Sequence, residues 1–273
     1  MDEDPFSLAA RAASALSELT GVDRHDLFVV LGSGWASMAD LLGGGARVAM
    51  ADLPGFPEPS AQGHQASFRS VPVAGKRVLL ALGRVHLYEG HSPATVVHGV
   101  RTAAAAGCRT VVLTNAAGSL RPEWPLGRPV LIRDQINSTG ASPLTGREYE
   151  HRFANMTGVY SRRLRALVHT LEPDLPEGVY VGTHGPEFES PAEIHAFAAW
   201  GADLVGMSTV LETIAAAHLG LEVLGLALAT NLAAGVGGEE PLDIGHVFAV
   251  AEANAPSVSD LLARVVEAVV GAS

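Results

Sequence analysis

The chain has 273 residues, 48% of them hydrophobic and 17% charged, with a formal net charge of −11. That balance excludes a disordered or fibrous chain, and basic residues scattered rather than gathered into stripes exclude a nucleic-acid partner surface. The single cysteine, Cys108, excludes an internal disulfide and suits a reducing compartment.

The opening stretch, MDEDPFSLAARAASALSEL, is acidic and then amphipathic, without the basic flank and apolar centre of a secretory signal. Asp203, Glu212, His218 and Glu222 interrupt the most hydrophobic region before it reaches membrane-spanning length. A soluble, cytoplasmic chain without a membrane partner is expected, and with no composition break across 1–273, a single domain.

In chain order, residues 6–20 have helical spacing, with Phe6, Leu8, Leu16 and Leu19 on the expected inner face. Residues 26–31 (DLFVVL) form an apolar run of strand length that ends in Gly32-Ser33-Gly34. A buried strand running into such a turn and a helix start offers amides and a hydroxyl to an anion. It lacks the Walker lysine and the dinucleotide glycine spacing, and a plain turn is the competing reading. Residues 47–50, 67–73 and 77–82 alternate like antiparallel strands, with His64 in a turn between two of them. In GRVHLYEGH, Arg84, His86 and Tyr88 occupy alternate positions and project to one side if the segment is extended; an exposed edge strand with polar alternation is the bland alternative.

A helix over 94–107 leads to a strand at 110–113 that ends in TNAAGS, where small residues would let backbone amides approach a ligand and Asn115 would pin the turn. A strand follows at 129–132 with RDQIN beyond it. Residues 138–153 are polar and Gly/Pro-punctuated, too long for a plain connection, and read as a lid or an intersubunit loop. A helix is expected at 161–171. Residues 178–209 then read as strand, helix, strand, with Phe188 and Glu189 after the first strand and Gly206, Met207 and Ser208 after the second. In a parallel α/β sheet those carboxyl ends converge on one crevice, here suited to a planar, N–H-bearing ring attached to something polar. Residues 210–218 are helical, 221–229 form the last strand, ending in Thr230-Asn231, the Gly-rich segment 235–245 leads to His246, and a helix at 258–269 closes the chain.

GSG, GRVHLYEGH, TNAAGS, GPEFES, VGMST and ATN stand in the order and approximate spacing of the trimeric purine nucleoside phosphorylases, and the resemblance covers residues 31–246. It implies an α/β fold, a single domain with a mixed twisted β-sheet flanked by helices, assembled as a homotrimer. It implies no metal and no organic cofactor, inorganic phosphate being a co-substrate that cleaves the N-glycosidic bond to give free purine and ribose 1-phosphate. Carried over residue by residue, the phosphate subsite is Ser33, His64, Arg84, His86, the Ala116 amide and Ser208. The ribose subsite is Tyr88, Met207 and His246, with Phe153 of one subunit covering the sugar of its neighbour. The base subsite is Phe188 against the ring, Glu189 accepting from N1–H and Asn231 donating to N7, with Asn231, His86 and Glu189 carrying the catalysis.

Asparagine at 231 suits a 6-oxo purine, where the related methylthioadenosine phosphorylases carry aspartate, so the resemblance implies inosine and guanosine as substrates. The chain departs from the family's usual residues at Ser119, Gln135, His184 and Glu187. The alternatives are a 5′-methylthioadenosine phosphorylase, a nucleoside hydrolase using water, and a non-catalytic purine-binding protein. The eleven histidines include no HxH or HxxxH pair beside a carboxylate, and Gly32-Ser33-Gly34 is not the G-x-S-x-G elbow of a serine hydrolase.

Overall fold

A computed structural model describes residues 4–57, 65–146, 153–238 and 241–272. Strands β1 (Leu27–Leu31), β2 (Ala46–Ala49), β3 (Ser67–Val73), β4 (Lys76–Leu82), β5 (Thr110–Ser119), β6 (Pro129–Asn137), β7 (Glu177–Gly182), β8 (Leu204–Gly206) and β9 (Glu222–Leu232) form one sheet in the order β2-β3-β4-β1-β5-β8-β7-β6-β9. β5 also pairs with β9, so β5, β8, β7, β6 and β9 close into a ring while the other four strands extend from it. Helices α1 (Pro5–Thr20), α2 (Met38–Leu41), α3 (Pro93–Val96), α4 (His98–Ala105), α5 (Arg162–Leu171), α6 (Pro191–Ala199), α7 (Val210–His218) and α8 (Ile244–Gly271) complete the α/β architecture.

β1 is buried along its whole length and pairs in parallel with β4 and β5, which explains its unbroken apolar sequence. Its alternate side chains feed two cores: Phe28 and Val30 join one cluster, Leu27, Val29 and Leu31 the other. β2, β3 and β4 are antiparallel neighbours, as their alternation predicts.

Several expectations are corrected. α1 buries Pro5, Ala9, Ala12, Ala13 and Leu16, while Leu19 is 54% exposed, because the helix lies close on α4 through small residues. The segment at 94–107 is two helices, not one, broken at Val97. TNAAGS is not a turn after β5 but the second half of that strand, and RDQIN likewise belongs to β6. The last helix starts at Ile244, fourteen residues before the apolar periodicity suggests, and carries Pro256 inside it. Gly34 is followed by turns, with the four-residue α2 starting only at Met38, so the Gly-Ser-Gly turn does not run directly into a helix as expected.

Strand direction places the site. β7 and β8 run parallel, with Gly182 beside Gly206, so the carboxyl ends of the strand–helix–strand unit meet as expected, while β8 runs antiparallel to β5 and the sheet is mixed, also as expected. The crevice beside those ends arises from the length of β5. Its first half pairs with β1 as far as Leu113, and its last two residues, Gly118 and Ser119, pair with Val205 and Leu204 of the incoming β8. Between these registers, residues 114–117 have no strand paired on that side among the described residues. The sheet splits there, and the split is a topological switch point where a crevice forms.

Candidate active site

The split opens into a cavity of about 330 Å³, within the usual range for a small-molecule site. Ser33, Arg84, His86, Tyr88, Ala116, Phe188, Glu189, Met207, Ser208 and Asn231 all line it, brought together from six places in the chain. Ala117, Gly118, Val205, Gly206 and Thr230 supply its floor, and Leu242, Ile244, Val247 and Phe248 an apolar wall at the start of α8.

At one end sit the donors. Gly32 and Ser33 are held against β5 because the Gly32 amide donates to Thr114 Oγ1 at 3.0 Å and the indole of buried Trp35 donates to the Asn115 carbonyl at 2.8 Å. Arg84 is 6% exposed; its Nε donates to Glu212 at 3.2 Å and its Nη1 to the Thr114 carbonyl. Such bonds fix a guanidinium's plane and hence the direction of its fork.

His86 is extended, but Leu87–Glu89 coil into a 3-10 turn rather than continuing the strand. Tyr88 nevertheless reaches the cavity, with its ring stacked on His86 at 4.7 Å between centroids. Glu89 Oε1 accepts from both the His86 amide (2.7 Å) and Nδ1 (2.8 Å), which sets the tautomer and orients the imidazole. Burial, and then the Glu89 carboxylate, push the Tyr88 phenol above its ordinary value, so it is a neutral hydrogen-bonding group. His64 lies outside the described residues.

Ser208 enters from the other side of the split. Glycine at 206 is required there, since a Cβ would come within 2.5 Å of Tyr180 Oη and 3.3 Å of the Ala116 carbonyl. The Ser208 amide donates to Tyr180 Oη at 3.4 Å, and its hydroxyl lies 3.1 Å from Thr209 Oγ1.

The opposite end carries a carboxylate and a carboxamide. Glu189 is 9% exposed and accepts from Thr183 Oγ1 at 2.7 Å. Burial raises its pKa from the ordinary carboxylate value, and the Thr183 bond partly offsets that rise. Asn231 is 7% exposed; its Oδ1 accepts from Thr230 Oγ1 at 3.0 Å and its Nδ2 donates to the Leu232 carbonyl at 3.0 Å. With Oδ1 turned to Thr230, the amide carries a second Nδ2 hydrogen beyond the one given to Leu232. Phe188, 39% exposed, and Met207 both line the cavity.

Two expected site residues stand apart from this cavity. His246 is exposed in the first turn of α8 and does not line it; Ile244, Val247 and Phe248 do, since successive helical residues point about 100° apart and His246 falls on the outer side. Phe153 is 92% exposed and contributes no wall to its own chain's cavity. Among the departures from the family pattern, Ser119 closes a small turn with Arg121 through its hydroxyl, and Gln135 joins Tyr160 to the Val210 carbonyl. His184 and Glu187 are exposed and outside the cavity lining.

Thr183, Thr209 and Glu212 are the residues that sequence reasoning passed over. Only Thr209 and Glu212 carried a signal, the T-x-x-E spacing of a capping box before an apolar helix, which they form.

A model of the Phosphorylase superfamily matches residues 26–270. The chain is 51% identical to the purine nucleoside phosphorylase of Mycobacterium tuberculosis (strain ATCC 25618 / H37Rv) over 96% of this chain and 97% of that protein. It is 50% identical to the purine nucleoside phosphorylase of Cellulomonas sp, over 96% of this chain and 93% of that one. Among solved structures it resembles isoform 2 of purine nucleoside phosphorylase from Schistosoma mansoni in complex with cytosine and ribose-1-phosphate. There the TM-score is 0.89 at 28% identity, over 97% of this chain and 98% of that chain. A Schistosoma mansoni purine nucleoside phosphorylase in complex with inosine gives 0.85 at 27% identity, over 96% of each chain.

Proposed function

The chain belongs to the phosphorylase superfamily and, within it, to the purine nucleoside phosphorylases, and from that premise we propose that it acts on 6-oxopurine nucleosides. Inosine, guanosine and their 2′-deoxy forms are cleaved by inorganic phosphate to the free base and (deoxy)ribose 1-phosphate, in purine salvage. The observation that carries this reading is how one cavity is lined: Ser33, Arg84 and Ser208 gather around Thr114 and Asn115 of β5, Asn231 pairs with Gly118 farther along that strand, and His86 and Glu189 complete the lining.

Arg84 and the hydroxyls of Ser33 and Ser208, with His86, hold phosphate beneath the sugar, and fixed positive charge with planar donors suits an oxyanion. Phe188 covers the base and Met207 the ribose, with Tyr88 bonding a sugar hydroxyl. Glu189, ionised, accepts from N1–H of a 6-oxo purine. As the glycosidic bond breaks, negative charge builds on the ring and Asn231 Nδ2 donates to N7, an interaction that strengthens in the transition state. Phosphate then captures the oxocarbenium-like carbon from the opposite face, assisted by positioning. No metal or organic cofactor takes part in this scheme.

His246 is assigned no sugar contact in this scheme, because it sits on the outer side of α8. Phe153, fully presented on the surface of one chain, suits insertion over the sugar of a neighbour in a homotrimer. The deciding experiment follows inosine turnover with and without phosphate, and with adenosine in place of inosine. Saturable phosphate dependence and preference for inosine are expected. Turnover independent of phosphate establishes a hydrolase instead, and preference for adenosine or methylthioadenosine refutes the substrate assignment.

A further inference from the structure

Glu212 is 3% exposed and lies behind the anion-binding end of the cavity rather than in its lining. A buried carboxylate is retained only with strong partners, and each of its oxygens serves a different wall. Oε1 accepts from Arg84 Nε at 3.2 Å, and Oε2 accepts from the Thr209 amide at 3.1 Å.

Thr209 is the second half of the observation. It has φ +72°, a backbone conformation that β-branched residues rarely adopt, and such a residue persists only where its surroundings over-determine it. Here the amide is held by Glu212, and Oγ1 takes Asn115 Nδ2 at 2.8 Å and meets Ser208 Oγ at 3.1 Å. The strained residue immediately follows Ser208, so its backbone decides where the Ser208 hydroxyl lies.

We propose that Glu212 is a positioning residue for the anion subsite, setting Arg84 and Ser208 at a fixed separation by holding the guanidinium with one oxygen and the strained Thr209 turn with the other. This rests on the reading above that Arg84 and Ser208 hold phosphate. Glu212 does not touch substrate. Its charge alone repels a bound anion, so a simple electrostatic effect and a positioning effect have opposite signs: neutralising Glu212 tightens phosphate in the first case and weakens it in the second.

Glu212→Gln separates them. Glutamine keeps one acceptor oxygen and puts an NH₂ group where the other was, so one of the two donors, Arg84 Nε–H or Thr209 N–H, faces another donor. Hydrogen bonds to charged groups are worth enough to change binding by about tenfold to a hundredfold. The expected result is a phosphate KM raised by about tenfold or more, a nucleoside KM within about twofold of the parent, and unchanged affinity for hypoxanthine. If that variant does not accumulate as folded protein, Glu212→Asp is titrated in the same way; it keeps the charge but cannot span both donors, and the same pattern is expected. An unchanged or lowered phosphate KM overturns the proposal, as does a parallel rise in both KM values with loss of hypoxanthine binding, which marks a merely structural role. A parent enzyme with no saturable phosphate dependence removes the underlying reading instead.

Discussion

Gly32→Ala perturbs the proposed anion-binding end of the cavity while deleting none of its functional groups. A Cβ on Gly32 would lie 2.5 Å from the Thr114 carbonyl oxygen, 2.8 Å from Arg84 Nη1 and 3.2 Å from Asn115 Cα. Thr114 belongs to β5, which is paired on one side with β9 throughout this stretch and cannot retreat. Arg84 Nη1 donates to that same carbonyl, so the new methyl lands against an occupied hydrogen bond. Overpacking of this kind costs about 1–3 kcal/mol, and breaking a hydrogen bond from a charged group costs about 1.5–3 kcal/mol more. At about 2–4 °C per kcal/mol for a chain of this size, Tm falls by roughly 5–20 °C. The displaced guanidinium raises the phosphate KM by about tenfold to a hundredfold. Thermal scans and phosphate titrations at saturating inosine measure both. Gly44→Ala is the control, since nothing lies within 4 Å of its Cβ position, and it is expected to match the parent. A Gly32→Ala enzyme with unaltered Tm and phosphate KM refutes the reasoning.

Asn231→Ala removes the proposed donor to the leaving base and should lower kcat/KM for inosine by roughly a hundredfold or more, because one such donor is worth about 2.7–4 kcal/mol; near-parental turnover contradicts the role. Thr183→Val removes a bond that lowers the Glu189 pKa, already raised by burial, so the acid limb of kcat/KM moves to higher pH; a pH profile unchanged between parent and variant counts against an ionised Glu189 on the base. His25 is buried against Ser70, and burial, reinforced by Arg77, lowers its pKa from 6.5 to about 4. The fold needs it neutral, so its contribution is complete above pH 6.5 and is lost as pH falls towards about 4, a change on the order of 3 kcal/mol. Urea midpoints measured from pH 7 to 4 should fall more steeply for the parent than for His25→Gln, and equal slopes exclude this source of acid sensitivity.

Local patterning foretold the elements that one packing environment governs along their whole length. α7 occupies residues 210–218 and β3 residues 67–73, as the spacing predicts. The longer elements escaped. β5 and β9 extend through TNAAGS and ATN because tertiary pairing between them outweighs the turn-like composition of those residues. α8 runs on past Pro256 and back through a Gly-bearing first turn for the same reason: its buried face packs on β9 and α2.

By itself the sequence determined which chemical groups were available and their order: Ser33, Arg84, His86, Glu189, Ser208 and Asn231 are legible as polar residues beside apolar runs, and their succession carries the family resemblance. The tertiary structure decided how they meet. Side-chain period is a local property of a strand, whereas strand direction and the place where β5 leaves β1 for β8 depend on pairing between residues about ninety positions apart. That divergence brought Ser208 and Ser33 to one cavity and placed Glu212 behind Arg84 across 128 residues of chain, while the rotation along α8 turned His246 outward.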